Sequence, residues 1–125
     1  MIKLKRGFTL IELLVVLAII SLLLTVALPR YFGSVDKSKE AALKENLRVL
    51  RVGIDKYYAD KGEYPAALSD LVTHQYFRAV PLDPVTDSDK TWQAVNPQAA
   101  GLSGIADVRS GAQGKTRDGI PYSQL

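Results

Sequence analysis

The residue types with most chemistry to offer stand at the start of the chain. Glu12 is a lone carboxylate inside an apolar run over residues 8–28, and Gly7 precedes that run behind the basic residues Lys3, Lys5 and Arg6. A carboxylate removed from water must be protonated, be paired with a cation or reach back to a polar boundary. Elsewhere the sequence offers little. His74 is the single histidine and reads as a surface or packed residue, since one histidine makes no Ser–His–acid set. Cysteine is absent, which excludes a disulfide framework, a Cys-ligated metal and a thiol nucleophile. The segment SGAQGK at 110–115 lacks the spacing and the strand-to-helix context of a phosphate-binding loop. Trp92 and the six tyrosines read as core and rim packing rather than as a stacking platform for bases. No catalytic set emerges.

The element that positions Glu12 is a helix of the apolar run. At about 1.5 Å per residue, residues 8–28 extend roughly 30 Å, the thickness of a bilayer's hydrocarbon core. Each Leu, Ile, Val or Phe favours insertion by roughly 0.3–0.6 kcal/mol, against a cost of roughly 3 kcal/mol for one central charge. The run is rich enough in these residues to enter a membrane with Glu12 present. The net charge of +3 comes from the leader, because beyond Arg6 the two signs balance. It is therefore an orientation signal rather than a polyanion-binding surface, and it places the N-terminus in the cytoplasm and the C-terminal part outside. Pro29 follows the run. A proline in a helix interior removes a backbone bond and clashes with the preceding turn, so a kink is expected there, provided the helix resumes beyond it.

The pattern does resume, in amphipathic form. Leu43, Leu47, Leu50, Ile54 and Tyr57 recur at spacings of four and three, giving one apolar stripe on a helix over residues 34–60. Glu40–Lys44 and Arg51–Asp55 are placed to form weak pairs along its polar faces. Gly62 is suited to cap this helix, and Pro65 prevents its resumption. A short helix is expected over 66–72, with Leu68, Leu71 and Val72 inward. Residues 78–90 read as loop. Strands are expected over 91–95, 105–109 and about 120–123, with Trp92, Val95, Ile105, Val108, Ile120 and Tyr122 as the sheet residues covered by the helix stripe. The fold class is α+β: a long, kinked N-terminal helix packed on a small antiparallel sheet. The chain divides into a leader (1–7), a membrane helix (8–29) and an amphipathic helix with a small globular domain (30–125), without internal repeats.

A secretory signal peptide has the same basic-then-apolar order, but its small-residue cleavage site follows the apolar run. Here the distinctive residues come first. Gly7-Phe8-Thr9-Leu10-Ile11-Glu12 on a basic leader resembles the class III signal of type IV pilins and their relatives. The similarity continues through Pro29, the segment YYADKGEYP at 57–65 and VPLDP at 80–84. Together these resemble the major pseudopilin of type II secretion systems. The resemblance implies that a prepilin peptidase cuts after Gly7 on the cytoplasmic side and methylates the new amine of Phe8. It also implies that released subunits leave the inner membrane for a filament whose N-terminal helices are bundled at its centre. A glycine suits such cleavage because it lets another backbone approach closely.

Glu12 then acquires a partner. Cleavage creates an amine at Phe8, four positions earlier, and both a cation and a helix N-terminus favour an anion nearby. The pair forms within one chain or between staggered neighbours, where it would report register, since mismatched neighbours leave both charges unpaired. The alternative is that Glu12 snorkels to the headgroups. Relatives of this group commonly bind calcium in a C-terminal loop, but this chain offers only Asp118 there, beside Lys115 and Arg117, and calcium prefers several oxygen ligands. Asp83, Asp87 and Asp89 could bind a cation, but they read as a solvated turn. No cofactor is expected, with calcium disfavoured; hydrogen bonds around Ser110, Asp118 and Tyr122 are the expected substitute.

The expected function is a non-enzymatic one: a self-assembling subunit of an envelope filament supporting type II secretion. Its expected partners are prepilin peptidase, minor pseudopilins and a secretion-platform membrane protein, with no nucleic acid. The alternatives are a surface type IV pilin for adhesion, twitching motility or DNA uptake, and a membrane-tethered periplasmic enzyme or binding module.

Overall fold

A computed structural model describes residues 6–125; Lys3, Lys5 and the rest of the leader before Arg6 lie outside the described residues. The elements in order are helix α1 (Leu10–Lys61), helix α2 (Leu68–Thr73), strands β1 (Trp92–Val95) and β2 (Asp107–Ser110), and a closing 3-10 turn over Tyr122–Gln124. The chain forms two compact units, Met1–Val35 and Asp36–Leu125.

In the first unit, α1 starts at Leu10 rather than Phe8. Thr9 explains the delay. Its Oγ1 accepts the amide of Glu12 at 3.2 Å, and its carbonyl accepts the amide of Leu13, which makes it an N-cap with an acid in the first turn. Pro29 lies within α1, so it does not mark the end of the helix. No residue of the apolar stretch is buried in the chain. Exposure of its Leu, Ile, Val and Phe residues runs from 46% at Leu28 to 86% at Phe8.

In the second unit the same helix turns amphipathic as its periodicity requires. Leu43, Leu47, Leu50, Ile54 and Tyr57 are all buried, and with Leu71, Trp92, Ile105 and Val108 they make the core. Gly53 joins this buried face because the ring of Phe77 occupies the space where its Cβ would lie. At the helix end Gly62 takes φ +72° and its amide reaches the Tyr58 carbonyl at 2.8 Å, the left-handed cap that glycine adopts without strain. α2 starts two residues later than expected. Asp70 reaches back to the amides of Ala66 and Ala67, so its carboxylate serves the donors before the first turn.

The sheet has two strands, not three. β1 and β2 pair antiparallel with Trp92 opposite Ser110 and Val95 opposite Asp107. The expected third strand at 120–123 is instead a single bridge between Lys115 and Pro121, followed by the 3-10 turn. Pro121 has no amide to donate to a ladder, and the Thr116 amide closes onto the Ile120 carbonyl. Ile120, expected in the sheet, is exposed. Ile105 is buried but precedes β2, held by its amide on the Pro65 carbonyl.

Two expected helix pairs are also replaced. Arg51 bonds Asp107 at 2.9 Å and the carbonyls of Val108 and Leu125, not Asp55. Glu40 accepts the Arg117 amide rather than pairing with Lys44. Partners from the globular part outcompete the neighbours on the helix because an exposed i,i+4 pair contributes only about 0.3–0.5 kcal/mol.

Candidate functional site

The residues singled out by the sequence fall together at the start of α1. Arg6, Gly7, Phe8 and Glu12 border one shallow hollow on the surface. Phe8, Ile11, Glu12, Val15 and Val16 line a second, apolar one beside it. Residues 6–9 are non-helical, so the Gly7–Phe8 peptide bond lies ahead of the first hydrogen-bonded turn and is free of helical pairing. Gly7 itself has no steric reason to be glycine. Among the described residues a Cβ there meets nothing within 4 Å, and the residue is not in the left-handed region.

Glu12 occupies the third helical position, one turn above Thr9, with its side chain exposed. The pattern Thr-x-x-Glu ahead of an apolar run is a sequence signature of a helix start, and it identifies the Thr9 cap that apolar counting alone misses. The cap matters chemically. It fixes where the positive end of the helix dipole lies, and it puts the Glu12 carboxylate within that first turn, where an anion is favoured. Farther along, the polar groups of the span look after themselves. Ser21 Oγ donates to the Leu17 carbonyl at 2.8 Å and Thr25 Oγ1 to the Leu22 carbonyl at 2.6 Å. These bonds remove the penalty that free hydroxyls would carry in hydrocarbon.

The second unit contains a buried polar centre at Asp83. Asp83 was expected in a solvated turn, yet it is fully buried. Its Oδ2 accepts the Ser110 hydroxyl and its Oδ1 the Val85 amide, while Ser110 Oγ accepts the Ala112 amide. Asp87 and Asp89 remain exposed. The carboxylate is thus shared between the 81–91 loop and the end of β2, a structural knot that satisfies every buried atom in it. Ser110 bonds Asp83 and not Asp118, which is exposed on the 116–119 turn. Tyr122 adds its amide to the Gly114 carbonyl. Burial, reinforced by the negative charges of Glu40, Asp36 and Asp83, pushes the Tyr122 hydroxyl up. Among the described residues no group of three or more His, Asp or Glu is arranged to hold a metal. His74 is exposed and packs edge-on against Tyr57. Trp92 is in the core, its Nε1 donating to the Pro81 carbonyl.

The family described as "Prokaryotic N-terminal methylation motif" matches residues 2–28, the stretch that carries Gly7, Phe8 and Glu12. A type II secretion system core protein G from Klebsiella pneumoniae is 30% identical over 95% of this chain and 89% of its own length. The chain belongs to the type IV pilin-like superfamily and is pseudopilin-like. A core protein G from Klebsiella michiganensis is 29% identical over 94% of the chain and 87% of its own length. The fimbrial protein EcpC of Eikenella corrodens is 32% identical over 91% of the chain and 72% of its own length. No solved structure matches the chain. The pilin-like arrangement of one long helix and a small antiparallel sheet agrees with this membership.

Proposed function

We propose that this pilin-like chain is a structural subunit of a pseudopilus, the envelope filament that supports type II protein secretion. The observation that carries the reading is a conjunction. An N-terminal methylation motif opens an apolar helix with no cover of its own, and the chain aligns nearly end to end with core protein G relatives. Prepilin peptidase cuts after Gly7 and methylates Phe8. A glycine that no contact among the described residues requires is accounted for by close approach of the peptidase. The processed chain is held in the inner membrane, N-terminus cytoplasmic and residues 30–125 periplasmic, until it joins a filament of like copies. Glu12 meets a Phe8 amine there and reports register. Pro29 is the kink point of the helix. Minor pseudopilins and a secretion-platform membrane protein complete the machine. No catalytic step, metal, calcium or other cofactor belongs to this role; both oxygens of Asp83, the one buried aspartate among the described residues, are engaged by protein donors.

Deleting the gene and comparing exported proteins with surface pili tests the reading. Loss of a secreted set with pili intact is the expected result. A secretion-competent mutant that lacks pili favours the second reading, a surface pilin, for which the relation to fimbrial protein EcpC is the specific support.

A further inference from the structure

The apolar run ends at Leu28, and directly after Pro29 the chain presents Arg30, Tyr31 and Phe32. Both rings are exposed, Tyr31 by 64% and Phe32 by 61%. They meet edge to face, with centroids 5.8 Å apart and ring planes at 70°. Two large aromatic side chains held out from a helix are expensive in water. They are too polar at the tyrosine end for deep hydrocarbon and are suited to the boundary, where amphipathic rings collect.

Length places them there. From Leu10 to Leu28 the helix rises about 27 Å, and Tyr31 stands about 4–5 Å beyond, just outside a hydrocarbon core of about 30 Å. Pro29 gives an independent reason for the same depth. It has no amide hydrogen for the Thr25 carbonyl, and a backbone carbonyl deprived of its helical partner is tolerated near interfacial water far better than in lipid. Arg30, between the proline and the rings, carries a guanidinium that matches a phosphate.

We propose that Arg30, Tyr31 and Phe32 form an interfacial anchor that docks on the phospholipid headgroup layer of the outer face and fixes the depth of the span. The occupant is lipid, because the rings continue directly from a stretch that is apolar on every side and sized to cross it. The anchor rests on the membrane placement in the reading above and not on the secretion role.

The test uses the full chain as a Tyr31→Trp variant, reconstituted at low density into phosphatidylethanolamine–phosphatidylglycerol vesicles. Bromine is placed either near the glycerol or near the chain ends of the lipids, and the Trp92 signal of the unsubstituted chain is subtracted. The expected result is strong quenching by the shallow bromines and weak quenching by the deep ones, repeated in a Phe32→Trp variant. Strongest quenching by deep bromines, or none from either, overturns the anchor. Shielding that grows with protein density also overturns it, since a second copy then covers the rings. A chain that alkaline washing strips from the vesicles refutes the membrane placement itself, which separates the two failures.

Discussion

Leu14 and Leu50 belong to one helix, yet Leu14 is 56% exposed and Leu50 is wholly buried. The first stands among apolar residues on every side; the second is part of a stripe spaced to meet α2 and the sheet. The contrast extends to polar groups. In the first unit Ser21 and Thr25 bond the helix's own carbonyls, as a segment must when its surroundings offer no partners. In the second unit Arg51, Glu40 and Asp83 reach across long stretches of sequence for theirs. The second unit is completed by its own chain. The first leaves its apolar surface uncovered, and in the proposed role lipid covers it before assembly and neighbouring helices after.

Truncation distinguishes the two most sharply. Leu50→Ala should cost about 2–5 kcal/mol of the second unit's stability, read by urea unfolding in micelles through Trp92 fluorescence. Leu14→Ala should leave that transition within about 0.5 kcal/mol. Equal losses would mean that the two ends of α1 are not stabilised differently. Next comes the buried knot. Asp83→Ala strips the Ser110 hydroxyl and the Val85 amide of their acceptor, at about 1–3 kcal/mol for each unsatisfied group, in the same unfolding experiment. Added calcium should not restore it.

The two glycines make a smaller and more selective pair. Gly53→Ala gains about 1 kcal/mol of helix propensity but forces the Phe77 ring aside at about 1–3 kcal/mol. A net loss is expected in the same unfolding experiment. Gly7→Ala should leave unfolding untouched and slow leader removal, scored by the precursor-to-mature ratio on gels. The smallest effect is one of pH. The Tyr76 hydroxyl donates to Asp60 at 2.6 Å, and this bond, then burial and the Asp60 charge, pushes its pKa from 10.0 up to about 12. The folded chain therefore holds this proton where the unfolded chain releases it. Stability from this group is complete below pH 10 and is lost as pH rises toward 12. Tyr76→Phe should flatten that part of the unfolding–pH curve.

What the sequence disclosed follows from how local each signal is. The apolar run, the five-residue stripe and the Gly62 cap depend on spacing within a single helix, and each is where spacing puts it. The Thr9 cap was equally local, in Thr-x-x-Glu, and was obscured by the apolar run that begins at Phe8. Asp83 was not legible, because its partner Ser110 is distant in sequence and a proline-bearing acidic loop looks solvated from its composition. Arg51 failed similarly: the i,i+4 acid is visible in sequence, while Asp107 and the Leu125 carbonyl are brought to it only by folding. The missing third strand had a local warning in Pro121, overridden by the β-favouring residues around it. At the candidate site, Gly7, Phe8 and Glu12 were named by resemblance to a family signal. The exposed, uncovered helix behind them is what gives that signal a physical use.

In the proposed role the first unit is processed and then surrounded. Mass spectrometry of the membrane-extracted chain tests it most directly. The expected product is a mature N-terminus at N-methylated Phe8, with the amine four residues before Glu12; an intact Met1 in cells that contain active prepilin peptidase would rule out processing.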